Sequence, residues 1–173
     1  ASLWEANMDL LKEKPAFNLY DDEWRIFSRN PVKPPHFTGE TAVVVNSFIT
    51  EGCEVYGEIE HSVLFEGVII EEGAKIIDSI IMPNVKISRG ATIEKAIIGP
   101  NTEIAENAHI GSCDETSEFS SDICDSDITL VSGNIYIDKG VKIGRNCMVE
   151  SDVRADGIDI NSKKNDDANK MIS

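Results

Sequence analysis

The amino-acid sequence predicts an all-β protein, a parallel β-helix of the hexapeptide type with coils of 17–18 residues, preceded by a short helix and an extended linker. Three observations support this fold class. Aliphatic residues recur every 17 positions, glycine or asparagine recurs at fixed places between them, and β-branched residues are dense throughout the repeats. A fixed period of this length is typical of solenoids in which each repeat forms one coil.

Three columns of aliphatic side chains run through the middle of the chain in the same register. Each column advances by 17 residues, and the steps between columns are 5, 6 and 6 residues. Each repeat therefore supplies one inward-pointing side chain to each side of a three-sided coil, and successive coils lie about 4.8 Å apart. The columns are Ile59, Ile76, Ile93 and Ile110; Leu64, Ile81 and Ile98; and Ile70, Ile87 and Ile104.

Glycine or asparagine follows the aliphatic position by three residues at two corners of each coil. These residue types adopt positive φ most easily, so they are expected at tight corners. Small or medium side chains follow them, as a crowded corner requires. The corner residues are Gly67, Asn84, Asn101, Gly73, Gly90 and Asn107, and the small columns are Ala74, Ala91 and Ala108, and Val68, Val85 and Thr102.

The pattern extends to coils on both sides of this central run. Cys53 and Cys147 fall in the small-residue position, and with Cys113 and Cys124 they are interpreted as reduced thiols, because their spacing fits neither a disulfide scaffold nor a CxxC pair. An earlier coil is predicted through Val43, Ile49 and Val55, and the pattern returns at Val131, Ile137, Ile143 and Val149.

A β-sandwich and an array of amphipathic helices are the alternative folds. A sandwich predicts hairpin signals such as Asn-Gly between alternating strands, and none occur in residues 43–111. Helices are disfavoured by the β-branched density of VLFEGVII and by the recurring glycines. The β-helix fits the sequence better than either alternative.

One amphipathic helix is predicted from Ser2 to Lys12. Ser2 and Glu5 form a capping box, and Pro15 ends the helix. A single helix cannot bury its own apolar face, so we expect it to pack on the coils or on a domain outside this chain. The residues predicted to share that face are Leu3, Ala6, Leu10 and Leu11.

The chain is predicted to divide into three parts. Residues 1–42 contain the helix and a connector stiffened by proline, with an aromatic cluster of Tyr20, Trp24 and Phe27. Residues 43–160 are assigned to the β-helix domain. Residues 161–173 are polar and lack periodicity, which predicts a disordered tail.

An acidic loop is predicted at residues 111–127, inserted in the β-helix domain. It carries six acidic residues and no lysine or arginine, which favours a solvated excursion from the coil. A calcium loop is the alternative, but an EF-hand needs acids at alternate positions, a central glycine and a final glutamate, and DICDSDITLVSG fails that spacing. No metal ligand is therefore assigned.

Charge and hydropathy exclude several classes of partner. The net charge of −15 disfavours phosphate backbones and anionic membrane surfaces. No apolar run reaches the roughly 18 residues that span a bilayer, and the first residues do not form a signal peptide. The sequence predicts a cytoplasmic protein without nucleic-acid or membrane partners. Its start at Ala1, directly before helix-like sequence, suggests a fragment of a longer protein.

Motifs for catalysis are missing from the sequence. No GxG, GxSxG, HExxH or zinc-spaced cluster occurs, so no catalytic residue and no cofactor-binding residue is assigned. A hexapeptide acyltransferase is the enzymatic alternative, with His61 or His109 as general base. The basic residues expected to hold coenzyme phosphates are sparse in residues 43–111, which argues against it.

Text more specific than generic hexapeptide repeats occurs in four stretches: SLWEANMDLL, NLYDDEWRIFSRNPVKPPHF, a long run that includes GCEVYGEIEHSVLF and DSIIMPNVKI, and ITLVSGNIYIDKGVKIG. Together they resemble the carboxy-terminal part of bacterial ADP-glucose pyrophosphorylase, glucose-1-phosphate adenylyltransferase. The resemblance covers about residues 2 to 150. A related sugar nucleotidyltransferase, such as a mannose-1-phosphate guanylyltransferase, is the alternative within this class.

The resemblance implies a left-handed β-helix that regulates and assembles an enzyme of bacterial glycogen synthesis. That enzyme makes ADP-glucose and pyrophosphate from ATP and glucose 1-phosphate. The resemblance places the reaction, ATP and Mg²⁺ in an amino-terminal catalytic domain, with which this chain would pack. It further implies a homo- or hetero-tetramer of related subunits.

A regulatory site for a sugar-phosphate or phosphate effector is also implied by the resemblance. Some relatives place an activator-binding arginine where this sequence has Pro100. Arg25, Arg29 and Lys33 are clustered cations of the connector, and they are the candidate residues for an anion-effector site.

Overall fold

The structure is a computed structural model that describes residues 2–16, 19, 33–111 and 127–154. Within these residues one short helix precedes eighteen short strands. The strands form three parallel sheets of six strands each, and consecutive strands belong to different sheets. This arrangement is a parallel β-helix with three-sided coils, which confirms the predicted fold class.

The three sheets are named here by their strands. Sheet 1 contains β1 (Phe37–Thr38), β4 (Glu54–Val55), β7 (Ile69–Ile70), β10 (Lys86–Ile87), β13 (Glu103–Ile104) and β16 (Tyr136–Ile137). Sheet 2 contains β2 (Val43–Val45), β5 (Glu58–Glu60), β8 (Lys75–Ile77), β11 (Thr92–Glu94), β14 (His109–Ile110) and β17 (Lys142–Ile143). Sheet 3 contains β3 (Phe48–Ile49), β6 (Val63–Leu64), β9 (Ile80–Ile81), β12 (Ala96–Ile98), β15 (Thr129–Val131) and β18 (Met148–Val149).

Strand register confirms the three predicted columns. In sheet 1, Ile87 pairs with Ile70 on one side and with Ile104 on the other. Sheets 2 and 3 have the same 17-residue register. The side chains of these columns are fully buried and form one continuous core through the solenoid. Val131 pairs with Ile98 across the acidic insertion, so the column resumes without a shift in register.

The first coil corrects one predicted core residue. Val43 pairs with Glu58, and it is Val44 that pairs with Ile59. The inward positions of this coil are therefore Val44, Ile49 and Val55, which keep the five-residue first step of the later coils. The prediction of Val43 was wrong because it assigned six residues to that step.

At two corners of the central coils the backbone has the positive φ that glycine and asparagine predict. Gly67, Asn84 and Asn101 have φ of 71°, 57° and 54°. A third corner was not predicted, because most of its residues at positive φ are neither glycine nor asparagine. Its residues are Asn46, His61, Asp78, Lys95 and Asp127, with φ between 40° and 53°.

A chain of serine hydroxyls stabilises this third corner. The Ser62 amide donates to Ser47 Oγ and the Ser79 amide to Ser62 Oγ, each at 3.1 Å. The Ala96 amide donates to Ser79 Oγ at the same distance, and Ala96 has no hydroxyl to continue the series. Each hydroxyl thus serves the next coil where the tight turn leaves an amide without a sheet partner.

The predicted helix is present as α1 (Ser2–Asp9), and it packs on the coils. Its predicted apolar face was wrong in part, since Leu11 is buried as predicted but Leu3 is 50% exposed and Ala6 is also exposed. The buried residues are Met8 in the helix and Leu11 just after it, with Trp4 half-buried one turn earlier. Helical spacing alone selected leucine and alanine for the buried face, whereas the cluster on sheet 3 contains the longer side chains of Trp4 and Met8.

Helix α1 covers the outer face of sheet 3. Met8 and Leu11 pack in one cluster with Val63, Ile80 and Ile97. Trp4 Nε1 donates to the carbonyl oxygen of Asp78 at 2.8 Å. One wall of the solenoid is therefore buried on both sides, by the core within and by the helix outside.

Several predicted features lie outside the described residues. They are the aromatic cluster of Tyr20, Trp24 and Phe27, most of the acidic loop 111–127, Cys113 and Cys124, and the tail 161–173. Strand β1 falls within the predicted connector, where it pairs with β4 in parallel. The solenoid thus contains a partial coil before residue 43.

Replacing Ile87 with aspartate is expected to destabilise the protein by about 3–5 kcal/mol, the effect of an unpaired buried charge. The new carboxylate would lie between Ile70 and Ile104 in a column without polar partners. Ile69→Asp is the matched control, because it makes the same change at a half-buried position outside the column. Urea unfolding measures both, and equal stability would contradict the assigned register.

Met8→Ala is expected to weaken helix docking and to lower the free energy of unfolding by about 2 kcal/mol. Leu3→Ala is the matched control on the exposed face of the same helix, with an expected change within about 0.5 kcal/mol. Thermal melts compare the two variants. A larger loss of stability for Leu3→Ala than for Met8→Ala would support the buried helix face predicted from the sequence.

Candidate functional site

The described part of the predicted anion site consists of Lys33. Its ammonium donates to Asn84 Oδ1 at 2.6 Å and holds the connector against a corner of the solenoid. Arg25 and Arg29 lie outside the described residues. Their joint use with Lys33 in an effector site stays a prediction.

Lys33 closes one end of a ladder of asparagine side chains. Asn84 Nδ2 donates to Asn101 Oδ1, and Asn101 Nδ2 donates to Asn134 Oδ1, both at 3.2 Å. The three asparagines have positive φ and stack from coil to coil. The residue type that permits the corner thus also links the coils through its side chain.

A second corner carries charges of alternating sign. Along the solenoid it presents Glu72, Arg89, Glu106 and Lys139. The hydrogen bond from Lys139, 2.8 Å long, lowers the pKa of the Glu106 carboxyl and raises the pKa of Lys139. Glu72 lies 3.7 Å from Arg89 Nη2. Each cation here is neutralised by a carboxylate of a neighbouring coil.

The remaining cations of the central coils also have acidic partners. Lys75 Nζ lies 2.8 Å from Glu58 Oε2. Lys86 lies between Glu71 and Glu103, at 3.7 and 3.8 Å. These pairs leave the described coils without a cluster of unpaired cations of the kind that phosphate groups need.

The two candidate histidines lie in different surroundings. His61 is at the third corner, where its Nδ1 is 2.6 Å from Asp78 Oδ1. His109 precedes the inward Ile110 in β14 and pairs in register with Lys142. The contact with Asp78 orients the ring of His61.

Neither described cysteine has the lowered pKa that is typical of a reactive thiol. Cys53 and Cys147 are free thiols, and burial raises the pKa of both. No group of three or more His, Cys, Asp or Glu in the described ranges is arranged to hold a metal ion. No helix among them has the length and apolar character needed to cross a membrane.

The end of the solenoid formed by β1, β2 and β3 is open. These are terminal strands of their sheets, so each has one edge without a sheet partner among the described residues. Val44 is an inward residue, yet it is 38% exposed, because β2 is the last strand of its sheet among the described residues. Val43, Val45 and Phe37 are about half exposed at the same end. The open end is an apolar surface with unpaired strand edges.

Beside this end the first complete coil is two residues shorter than the next. Ile59 follows Val55 by four residues, whereas Ile76 follows Ile70 by six. The shortening leaves a hollow of about 440 Å³ lined by Glu40, Thr41, Tyr56, Glu71, Glu72 and Arg89. The step of four residues is visible in the sequence, but only the structure shows that a hollow lies there and which side chains line it.

The fold and its repeats define a hexapeptide-repeat β-helix protein. A family model described as "GlmU-like, C-terminal hexapeptide" matches residues 33–131. The chain belongs to that family.

Curated relatives extend this assignment. A glucose-1-phosphate adenylyltransferase of Acetivibrio thermocellus is 39% identical over 154 residues, which are 88% of this chain and 36% of the relative. Proteins of the same name from Bacillus cytotoxicus and Bacillus thuringiensis are 58% and 55% identical over 78 residues, 45% of this chain and 21% of each relative. The match covers the carboxy-terminal part of these relatives. The chain therefore spans well under half of their length.

Proposed function

We propose that this chain is the regulatory and assembly domain of a glucose-1-phosphate adenylyltransferase, the enzyme that makes ADP-glucose and pyrophosphate from ATP and glucose 1-phosphate. The observation that carries the proposal is the 39% identity to the Acetivibrio thermocellus protein over nearly the whole of this chain. In this proposal ATP and Mg²⁺ bind a separate catalytic domain, which matches the lack of a GxG motif in the sequence.

The open end of the solenoid supports a role in assembly. Its strand edges and exposed valines favour burial against another protein surface, because unpaired backbone groups and apolar patches are both stabilised by contact. A copy of this domain or the catalytic domain is the proposed occupant. Regulation by a sugar phosphate or phosphate, through Arg25, Arg29 and Lys33, is part of the same proposal.

A segment exchange tests the proposed function. The chain is expected to release no pyrophosphate when it is incubated alone with ATP, glucose 1-phosphate and Mg²⁺. A chimera in which it replaces the matching segment of the Acetivibrio thermocellus enzyme is expected to release pyrophosphate, with the native enzyme as positive control. An inactive but folded chimera would contradict the proposal, as would reproducible turnover by the chain alone.

Self-association is expected to increase from low to moderate ionic strength. The net charge of −15 repels a second copy over roughly a Debye length, ~10 Å at 0.1 M salt, and salt screens this repulsion while apolar contact persists. Sedimentation velocity at several salt concentrations measures the effect. A strict monomer at high protein concentration and moderate salt would assign assembly to the catalytic domain.

Substitution at the open end locates the contact. Changing Val43 and Val45 to serine is expected to weaken association, because both side chains are about half exposed there. Thr92→Ser is the matched control in the middle of the same sheet. Equal loss of association in both variants would exclude the open end as the contact surface.

A further inference from the structure

Tyr56 forms a ridge between two hollows on the outer face of sheet 1. Its ring lies over Gly39, where an added Cβ would be 2.6 Å from Tyr56 Cδ1. The absence of a side chain at Gly39 therefore lets the ring lie down on the backbone. Phe37 stands beside it, with ring centroids 5.8 Å apart and planes at 51°. The Tyr56 hydroxyl points to Glu54, with 3.4 Å between the oxygens.

The two hollows differ in the charged residues on their walls. The hollow left by the short coil has three carboxylates, those of Glu40, Glu71 and Glu72, and is named here the polar hollow. The hollow on the other side of Tyr56 is about 390 Å³ in volume and is lined by Pro34, Pro35, Phe37, Gly52, Glu54 and Tyr56. An elongated ligand that lies across the Tyr56 ring reaches both.

The lining favours an uncharged ligand rich in hydroxyl groups. Aromatic faces carry partial negative charge and attract the C–H groups of a sugar ring, and carboxylates accept hydrogen bonds from hydroxyls. An anion is disfavoured, because the polar hollow holds three carboxylates against one cation. That cation, Arg89, already lies 3.7 Å from Glu72, and its backbone amide donates to Glu71 Oε2.

We propose that the two hollows form a binding site for a neutral linear oligosaccharide whose pyranose rings lie on Tyr56 and Phe37. The carboxylates of Glu54 and Glu71, one on each side of the ridge, then accept hydrogen bonds from the sugar hydroxyls. The residues that line the two hollows do not include Lys33, the described member of the cations assigned to an anionic effector. The ligand of the proposed site is recognised by ring stacking and hydroxyl contacts rather than by phosphate charge.

Isothermal titration calorimetry of the whole chain with maltohexaose and, separately, with cellohexaose tests the proposal. Saturable binding of at least one sugar is expected, and the comparison decides between α- and β-linked chains. Tyr56→Ala is expected to weaken binding by roughly tenfold or more, whereas Tyr56→Phe keeps the ring and most of the affinity. Tyr136→Ala is the matched control, since Tyr136 is an exposed aromatic at the far end of the same sheet.

Amide chemical shifts locate the contact independently of any variant. Addition of the sugar is expected to shift the resonances of Gly39, Tyr56 and Glu71. Phe37→Ala removes the second aromatic ring of the proposed site and is also expected to weaken binding. The proposal fails if neither sugar binds, if Tyr136→Ala weakens binding as much as Tyr56→Ala, or if inorganic phosphate or arginine shifts these resonances while the sugars do not. The result is independent of whether the chimera is active.

Discussion

The whole solenoid depends on stacking like side chains at one position of successive coils. Each inward isoleucine is covered by the equivalent residue one coil before and one coil after, so its burial requires every coil to keep the register. Insertions are therefore tolerated only where the chain resumes the same column afterwards, as it does after the residues inserted between Ile110 and Thr129. Shortening is tolerated at a corner, as between Val55 and Ile59, because no strand is lost there.

The repeats made most of the fold predictable. An aliphatic column with a 17-residue period indicates one coil per repeat, and the corner glycines and asparagines support it from a separate physical requirement. The third corner was not predictable in the same way. His61, Asp78 and Lys95 adopt positive φ there because the sheets on both sides impose it and serine hydroxyls satisfy the backbone. Neighbouring coils thus override the preference of the single residue.

The surface of the protein was harder to predict than its core. The sequence identifies the lysine and arginine residues, but it does not show which side chains of other coils form hydrogen bonds or ion pairs with them. Lys33 was assigned to an anion site, and the structure places its ammonium on Asn84. Tyr56 was not singled out, because its exposure depends on Gly39 in the preceding partial coil and on a shortened corner. The open end and the helix face likewise depend on contacts between distant parts of the chain.

The asparagine ladder constrains how coils can be added to the solenoid. Each side-chain amide of the ladder before the last one donates its N–H to the asparagine of the next coil. The oxygen of the first amide, that of Asn84, accepts a hydrogen bond from the Lys33 ammonium. An extra coil placed within this series has to contribute an asparagine at the same corner, because otherwise the ladder of side-chain hydrogen bonds is interrupted. Copying a complete repeat of this series supplies that asparagine together with the isoleucines, whereas copying a fragment without the corner does not. Whole-repeat duplication is therefore the natural route by which such a domain lengthens.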